Sequence, residues 1–396
     1  MNRHYGMDWL RIVSFAALIV IHAVFFFAPE PWGFPVKRPE IVEWTGAFIH
    51  AFHPWRMPLL YAVSGYASAA LFARDPQPVR FLIDRLARLL IPTAFAILAI
   101  IPPQLWLMLR LHHGYTETLW TFWTRDWLSF TSIGGVALPN AQHMWFVEYL
   151  WIYTLWLVAL LLLPAAWRAA ARVGAERLLS GARFLWLPIA LLLARVLWFW
   201  PGPLPTYNVL SDTYMNLVYF PMFGFGFALR NSPALWREIA RWWRPSAALA
   251  LLSLPAIVGI ELAWPAHVDA PGWLQAAYAL SWAVMGWTGA VALLGIADRY
   301  WQRDHRWRPV LAEAVFPFYL IHQTVIVAAC ALLYPLGLPG LAEFALLLVA
   351  AAAGCWGFYR FGRDVPVLRY LIGLKGWMPP ARRPLPAPAP AAAESA

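Results

Sequence analysis

One feature recurs along almost the whole sequence, an apolar run of about 20 residues, with short basic segments in alternate connections between the runs. A run of this length, wound as a helix, is long enough to cross the hydrocarbon core of a bilayer, whereas a membrane strand needs only about 10 residues. Because 61% of the residues are hydrophobic and only 13% are charged, no separate soluble domain fits beside these runs. The sequence therefore predicts an all-α polytopic membrane protein.

The same length rule predicts about ten transmembrane helices. They lie near residues 8–28, 56–73, 86–109, 143–163, 184–200, 213–230, 246–264, 273–297, 310–333 and 340–359. All ten belong to one predicted transmembrane domain, residues 1–375. The Pro/Ala-rich residues 376–396 cannot bury a core, which predicts a disordered cytoplasmic tail.

The distribution of basic residues predicts the orientation. Placing both termini in the cytoplasm puts 24 of the 30 lysines and arginines on that side, as the positive-inside rule requires. The loops 29–55 and 110–142 then lie outside and are candidates for a lid or a binding surface. The basic residues that do not follow the bias are Lys37, Arg38, Arg56, Arg110, Arg125 and Arg195.

The first span, Met7 to Phe27, carries two ionisable side chains, Arg11 and His22. A charge inside the membrane costs roughly 2.5 to 3.5 kcal/mol even on insertion scales, and such residues mark reaction or transport paths. Eleven residues make about three helical turns, so both side chains lie on one helix face, roughly 16 Å apart along the axis. A fixed cation below a titratable imidazole suits a ligand with an anionic head and a reactive tail.

A second pair of cations begins the third predicted span. Arg85 and Arg88 are three residues apart, hence on one helix face, and two guanidinium groups form a good clamp for phosphate. Two alternatives stay open at this stage. The pair is equally compatible with a topology signal, or with an ion pair between Asp84 and Arg88.

Further polar residues in or beside the spans are candidates for supporting roles. Ser64 is adjacent to Gly65, where helix packing explains it adequately. Glu148 is expected either to neutralise a buried arginine or to orient a histidine, and His322 is either an interhelical hydrogen-bonding residue or a catalytic one. The complete supporting set is Asp8, Ser64, His143, Trp145, Glu148, Tyr319 and His322.

Composition excludes other classes of site. His50 and His53 have no third ligand in view, so no metal centre is predicted. The net charge of +10 is spread over short segments between apolar runs, without a basic groove or motif, so nucleic acid is not expected as a partner. The two cysteines, Cys330 and Cys355, both lie in predicted spans and indicate no disulfide framework.

Five motifs in order along the chain resemble the membrane-bound acyltransferase-3 family, and within it the branch of the glucans biosynthesis protein C type. They are Asp8-Trp-Leu-Arg11 with His22, Met57 to Tyr66, Arg85-Leu-Ala-Arg88, His143-Met-Trp-Phe146 and Phe318 to Gln323. The resemblance covers Met7 to about Lys375. It implies a ten-span core that transfers an acyl group from cytoplasmic acyl-CoA to a carbohydrate outside, such as a periplasmic glucan.

The resemblance also implies residue roles. His22 is the expected catalytic histidine, Arg11 its companion, and Arg85 with Arg88 the expected CoA-binding pair. Acyl-CoA is a co-substrate, no tightly bound cofactor is expected, and the location is a bacterial inner membrane. Many members of the family have an additional extracytoplasmic hydrolase-like domain that this sequence lacks after its tenth predicted span.

The competing hypothesis is a transporter or flippase of an anionic or lipid-linked sugar. It predicts movement of a substrate without covalent change. The absence of a visible internal repeat counts against it. The sequence leaves open whether the acyl group is acetyl or succinyl, whether transfer is direct or passes through an acyl-histidine, and whether the chain forms a homo-oligomer.

Overall fold

The computed structural model describes residues 4–28, 34–38, 40, 42, 44–199, 207–264 and 270–374. The predicted tail, 376–396, lies outside the described residues. The described chain is almost entirely helical, as the sequence predicts. Its helices are α1 (Tyr5–Phe25), α2 (Trp44–Phe72), α3 (Pro78–Phe95), α4 (Pro102–His112), α5 (Leu119–Thr121), α6 (Trp145–Leu161), α7 (Ala165–Leu178), α8 (Arg183–Trp198), α9 (Thr213–Leu229), α10 (Pro233–Ala263), α11 (Gly272–Tyr300), α12 (Arg308–Leu333), α13 (Gly340–Asp364) and α14 (Pro366–Leu371).

Every one of the ten predicted spans coincides with a helix or, in one case, with the pair α3 and α4. Seven of the described helical segments are long and apolar enough to cross a membrane, and the bent pair α7 and α8 raises the number to eight. The two that fall short are α9, which has only 17 residues, and α2, which carries polar side chains in its first half. A polytopic membrane fold follows, while the count of ten and the cytoplasmic termini stay predictions.

Several helices differ from the prediction, and α3 and α10 begin at Pro78 and Pro233, ahead of the predicted 86 and 246. Helix α2 begins at Trp44, so the second half of the predicted loop 29–55 is helical and that prediction is wrong for 44–55. Proline weakens a helix interior but does not forbid it, and Pro54 and Pro58 both lie within α2. Helix α7 was not predicted at all. It is short and exposed, it carries three arginines, and it meets α8 at 95°.

The segment between α3 and α4 widens into a π-helical turn, Ala96–Ile100, ahead of Pro102. A π turn leaves carbonyl groups without helical partners, and within a membrane each must find another donor. Here Trp127 and Trp123 donate from their indole nitrogens to the carbonyl oxygens of Ile97 and Leu98, at 2.9 and 2.7 Å. The loop that follows α4 is anchored to the span in this way.

That loop contains the only strands in the described part of the chain. They form a two-stranded antiparallel hairpin of β1 (Ser132–Ile133) and β2 (Val136–Ala137), with Ser132 opposite Ala137. A 3₁₀ turn, Gln142–Met144, then leads directly into α6. The hairpin and this turn place His143 at the beginning of a helix that faces the protein interior.

Two helix pairs position the residues of interest. Helices α1 and α12 run parallel and in register, because Asp8 pairs with Arg308, Arg11 with Ala312, and His22 with His322. Helices α2 and α9 cross at glycine. A Cβ atom added to Gly226 would lie 1.8 Å from the carbonyl oxygen of Ala62, so only glycine allows the two backbones to approach this closely.

Candidate active site

A chain of hydrogen bonds holds His22 from behind. Its Nδ1 atom lies 2.9 Å from Nε2 of His322, which is fully buried on α12. The other ring nitrogen of His322, Nδ1, lies 2.6 Å from the backbone carbonyl oxygen of Tyr319. The shared face predicted for Arg11 and His22 is therefore the face of α1 that packs on α12.

These contacts fix the tautomers of both rings when they are neutral. A carbonyl oxygen only accepts hydrogen bonds, so Nδ1 of His322 carries the proton and its Nε2 carries a lone pair. That lone pair accepts from Nδ1–H of His22. The unprotonated nitrogen of His22 is consequently Nε2, which is the basic atom of the ring.

A third histidine lies against this pair. The ring centroid of His143 is 5.0 Å from that of His322, and its Nε2 donates to the carbonyl oxygen of Leu320 over 3.0 Å. The hydroxyl of Tyr319 donates in turn to the backbone carbonyl of His143. These bonds tie the start of α6 to the middle of α12, which makes the histidine cluster rigid on two sides.

A small cavity of about 30 Å³ opens in front of the cluster. It is far smaller than a typical ligand pocket, so in the described conformation it has room for a small reacting group and not for a whole substrate. Leucine, methionine and phenylalanine side chains form its apolar wall. Its polar and aromatic lining consists of His22, Arg56, His143, Trp145 and Tyr319.

The predicted phosphate clamp lies at the other end of α1. Arg11 donates from Nη2 to the carbonyl oxygen of Ala312 at 2.8 Å, and its charge, like that of Arg88, acts on Arg85. Arg85 and Arg88 are both partly buried. No ion pair joins Asp84 to Arg88 within the described ranges, so that alternative for the pair is not realised. Three cations from α1 and α3 therefore meet at one end of the helix bundle.

The histidine cavity and the three arginines are separated by aromatic side chains. Phe15 lies between them on α1 and packs edge-on against Phe146 at 6.3 Å and Tyr319 at 5.7 Å. The cavity is lined on this side by Leu18, one turn beyond Phe15, and by none of the three arginines. The predicted passage from the arginines to His22 is closed by this aromatic layer in the described conformation.

The other supporting candidates have structural contacts instead. Asp8 forms an ion pair with Arg308 at 2.7 Å. The carbonyl of Ser64 accepts from Ser68, beside the close crossing at Gly65. Glu148 makes no hydrogen bond to a histidine in the part of the chain that the structure describes, so the residue that orients His22 is His322 and not Glu148.

Arg56 is the cavity residue that sequence reasoning missed. It appeared only as one of six basic residues outside the positive-inside pattern, and that exception was the available signal. His50, one helical turn before His53, contacts Glu261 at 3.1 Å and Tyr278 at 2.9 Å, which gives it a structural role. No group of three or more candidate metal ligands occurs among the described residues.

Comparison with known proteins agrees with this geometry. A family model described as an acyltransferase domain, of the acyltransferase-3 family, matches residues 4–360. The chain belongs to the acyltransferase-3 family. The matched range includes the residues of the histidine cavity and of the arginine cluster of this acyltransferase.

Two curated proteins are similar over part of the chain. One is the glucans biosynthesis protein C of Escherichia coli O6:K15:H31 (strain 536 / UPEC), 28% identical over 153 residues, and the other is that of Shigella dysenteriae serotype 1 (strain Sd197), 27% identical over 153 residues. Each alignment covers 39% of this chain and 37% of the relative, so the chain matches well under half of their length. No solved structure matches the chain.

Proposed function

We propose that this membrane acyltransferase moves an acyl group, acetyl or succinyl, from cytoplasmic acyl-CoA to a hydroxyl group of an extracytoplasmic glycan such as a periplasmic glucan. One observation carries the proposal. The hydrogen-bonded chain from the Tyr319 carbonyl through His322 leaves His22 with its basic nitrogen, Nε2, unprotonated, in a residue that lines a cavity.

In the reaction that we propose, Nε2 of His22 takes the proton of the acceptor hydroxyl as its oxygen attacks the thioester carbonyl. General-base catalysis of this kind contributes roughly 10²- to 10⁴-fold to a rate. His322 keeps Nε2 of His22 as the basic nitrogen. His322 itself stays neutral, with its proton on Nδ1 hydrogen-bonded to the Tyr319 carbonyl oxygen. The CoA thiolate then leaves and recovers the proton from His22.

The arginines support CoA as the donor. Phosphate oxygens accept bidentate hydrogen bonds from guanidinium, and Arg85 and Arg88 have no acidic partner among the described residues. Nε of Arg85 is buried and makes no hydrogen bond there. In this proposal the arginines hold the phosphates, and the pantetheine arm passes Phe15 when the aromatic layer opens.

The acceptor side is aromatic. Trp145 lines the cavity and packs against Tyr207, at 5.3 Å between ring centroids, and Tyr207 is 53% exposed. Amphipathic rings of this kind offer an apolar face to a sugar and a hydrogen-bonding group at the edge. This pair of rings supports a glycan as the acceptor.

The test is to incubate purified protein in lipid nanodiscs with acyl-labelled acetyl-CoA or succinyl-CoA and a glucan. We expect ester-linked label on the glucan, release of free CoA, and weaker use of acyl-pantetheine donors that lack the nucleotide phosphates. Label that remains on the protein after denaturation identifies an acyl-histidine relay instead. Movement of sugar across proteoliposomes with no transfer of label contradicts the proposal and favours a transporter.

A further inference from the structure

Arg56 is an unusual residue for its position. It lies in the first half of α2, it is only 7% exposed, and it lines the same cavity as His22 and Trp145. Its Nε and Nη1 atoms are buried and make no hydrogen bond within the described residues. No salt bridge to Arg56 occurs there either, and the groups that interact with it electrostatically are the phenols of Tyr219 and Tyr207 and the imidazoles of His22 and His53.

A buried guanidinium without a partner is costly, because burial removes its water and nothing replaces it. Two other buried arginines of this chain have partners that reduce that cost. Arg308 pairs with Asp8 and Asp304, while Arg195 donates to the Tyr214 carbonyl at 2.9 Å and stacks on its ring. Arg56 differs from these two because no hydrogen bond or ion pair to its guanidinium occurs among the described residues.

Arg56 lines the same cavity as His22 and interacts with it electrostatically. A general base becomes positively charged when it accepts a proton, and a neighbouring guanidinium opposes that change. The opposition disappears if negative charge forms between the two cations in the same step. Acyl transfer creates such charge on the carbonyl oxygen of the thioester.

We propose that Arg56 is the anion-binding group of the cavity and that it holds negative charge carried by the acyl group beside His22. This inference rests on the proposed function. The anionic group is an oxygen, either the oxyanion that forms on the carbonyl of any acyl donor or the free carboxylate of a dicarboxylic acyl group. Both present oxygen atoms to a guanidinium fork.

In the oxyanion case, attack and collapse exchange one bond for another at the carbonyl carbon. The acceptor oxygen forms a bond to the carbonyl carbon, its proton goes to Nε2 of His22, and the carbonyl electron pair moves to the oxygen that Arg56 holds. When this oxyanion collapses, the carbon–sulfur bond breaks and the CoA thiolate takes the proton back from His22. The products are the ester and free CoA.

The experiment compares wild type, Arg56→Met and Arg56→Lys in nanodiscs, with acetyl-CoA and succinyl-CoA as separate donors and a glucan as acceptor. Arg195→Met is the matched control, because Arg195 is also an arginine outside the cytoplasmic clusters but has partners. We expect Arg56→Met to lose about 100-fold or more in kcat, the loss typical of removing one oxyanion donor. Arg56→Lys keeps the charge but not the fork, and should fall between.

Two patterns support the proposal and separate its two sources of charge. If Arg56→Met has a lower kcat with both donors, the charge that Arg56 holds is the oxyanion. If its kcat is lower with succinyl-CoA alone, the charge is the carboxylate of the acyl group. In either case Arg56→Met should unfold at the same or a higher temperature than wild type, because the substitution removes an unpaired buried charge. Arg195→Met should unfold at a lower temperature than wild type, and its folded molecules should transfer the acyl group at the normal rate.

Other results overturn it. Transfer by Arg56→Met within about threefold of wild type for both donors rejects the role of Arg56 while the proposed function stands. The same conclusion follows if its rate loss only tracks a lower folded fraction. Absence of transfer by wild type itself, with either donor, rejects the proposed function and the assignment of Arg56 together.

Discussion

At the scale of single residues, the chemical state of His22 depends on a neighbour from another helix. In hydrolases a carboxylate often orients the catalytic imidazole, and Glu148 was the candidate here. The structure uses a second neutral imidazole instead, and its orientation is set by a backbone carbonyl, the oxygen of Tyr319. Such a chain fixes a tautomer without placing a negative charge inside the membrane, where it would be costly.

His322 is therefore a positioning residue, and its replacement should affect kcat rather than KM. His322→Leu leaves Nδ1–H of His22 without an acceptor and frees the ring to adopt the other tautomer, so we expect kcat to fall roughly 100-fold. The KM values for acyl-CoA and glucan should change little. His322→Gln supplies an amide oxygen as acceptor and should recover part of the rate.

Steady-state kinetics in nanodiscs provide the check on His322. A purely structural role would give lower folded yield with a normal kcat for the folded fraction, and Gln would recover no more activity than Leu. Either result removes His322 from the account of the tautomer.

At the scale of helices, the site depends on two close pairings. The parallel register of α1 and α12 brings His22 to His322 and Arg11 to Ala312, with offsets of 300 and 301 residues. The crossing of α2 and α9 fixes the position of Arg56 along the helix axis, because Arg56 lies about 1.7 turns before Ala62, which contacts Gly226. Small residues at such crossings let backbones approach in the absence of a hydrophobic driving force within lipid.

The α2–α9 crossing can be tested with two alanine substitutions on one helix. Gly226→Ala places a methyl group against the Ala62 carbonyl, whereas Gly224→Ala meets nothing within 4 Å. Forcing two packed backbones apart costs about 1–3 kcal/mol or more. We expect thermal unfolding in detergent to occur at a clearly lower temperature for Gly226→Ala, and near the wild-type temperature for Gly224→Ala.

Equal behaviour of the two alanine variants would show that the crossing is looser than described. A loss of acyl transfer in the surviving folded fraction of Gly226→Ala is expected as well, because α2 carries Arg56 into the cavity. Gly224→Ala should transfer at the normal rate.

At the scale of the whole molecule, the sequence predicted the helices well and the site only in part. Apolar runs fix where helices form, and the 3.6-residue period put Arg11 and His22 on one face, because both depend on local sequence. The partner of His22 and the importance of Arg56 depend on which helices pack together. His22 and His322 are 300 residues apart, and no local pattern relates them. Similarly, α2 begins at Trp44 rather than near residue 56, and tertiary packing overrides the local cost of Pro54 and Pro58 within it.

The predicted topology of the membrane protein places Gln77 inside and Thr116 outside, on either side of the span formed by α3 and α4. Both positions are exposed, and the two native cysteines are buried. We expect a membrane-impermeant maleimide to label Thr116→Cys in intact cells, and Gln77→Cys only after the inner membrane is opened. The reverse pattern means that the predicted orientation is wrong, because either α2 does not span the membrane or both termini lie outside.

The central claim is that Nε2 of His22 takes the proton of the acceptor in a cavity within the membrane domain. The most direct measurement is the initial rate of label transfer from acyl-CoA to glucan by the His22→Gln variant in nanodiscs. Wild type and His113→Gln, which replaces an exposed loop histidine, are measured under the same conditions. We predict a loss of at least about 100-fold for His22→Gln, with unchanged unfolding temperature and a normal rate for His113→Gln. A folded His22→Gln protein that acylates glucan at the wild-type rate would contradict the account.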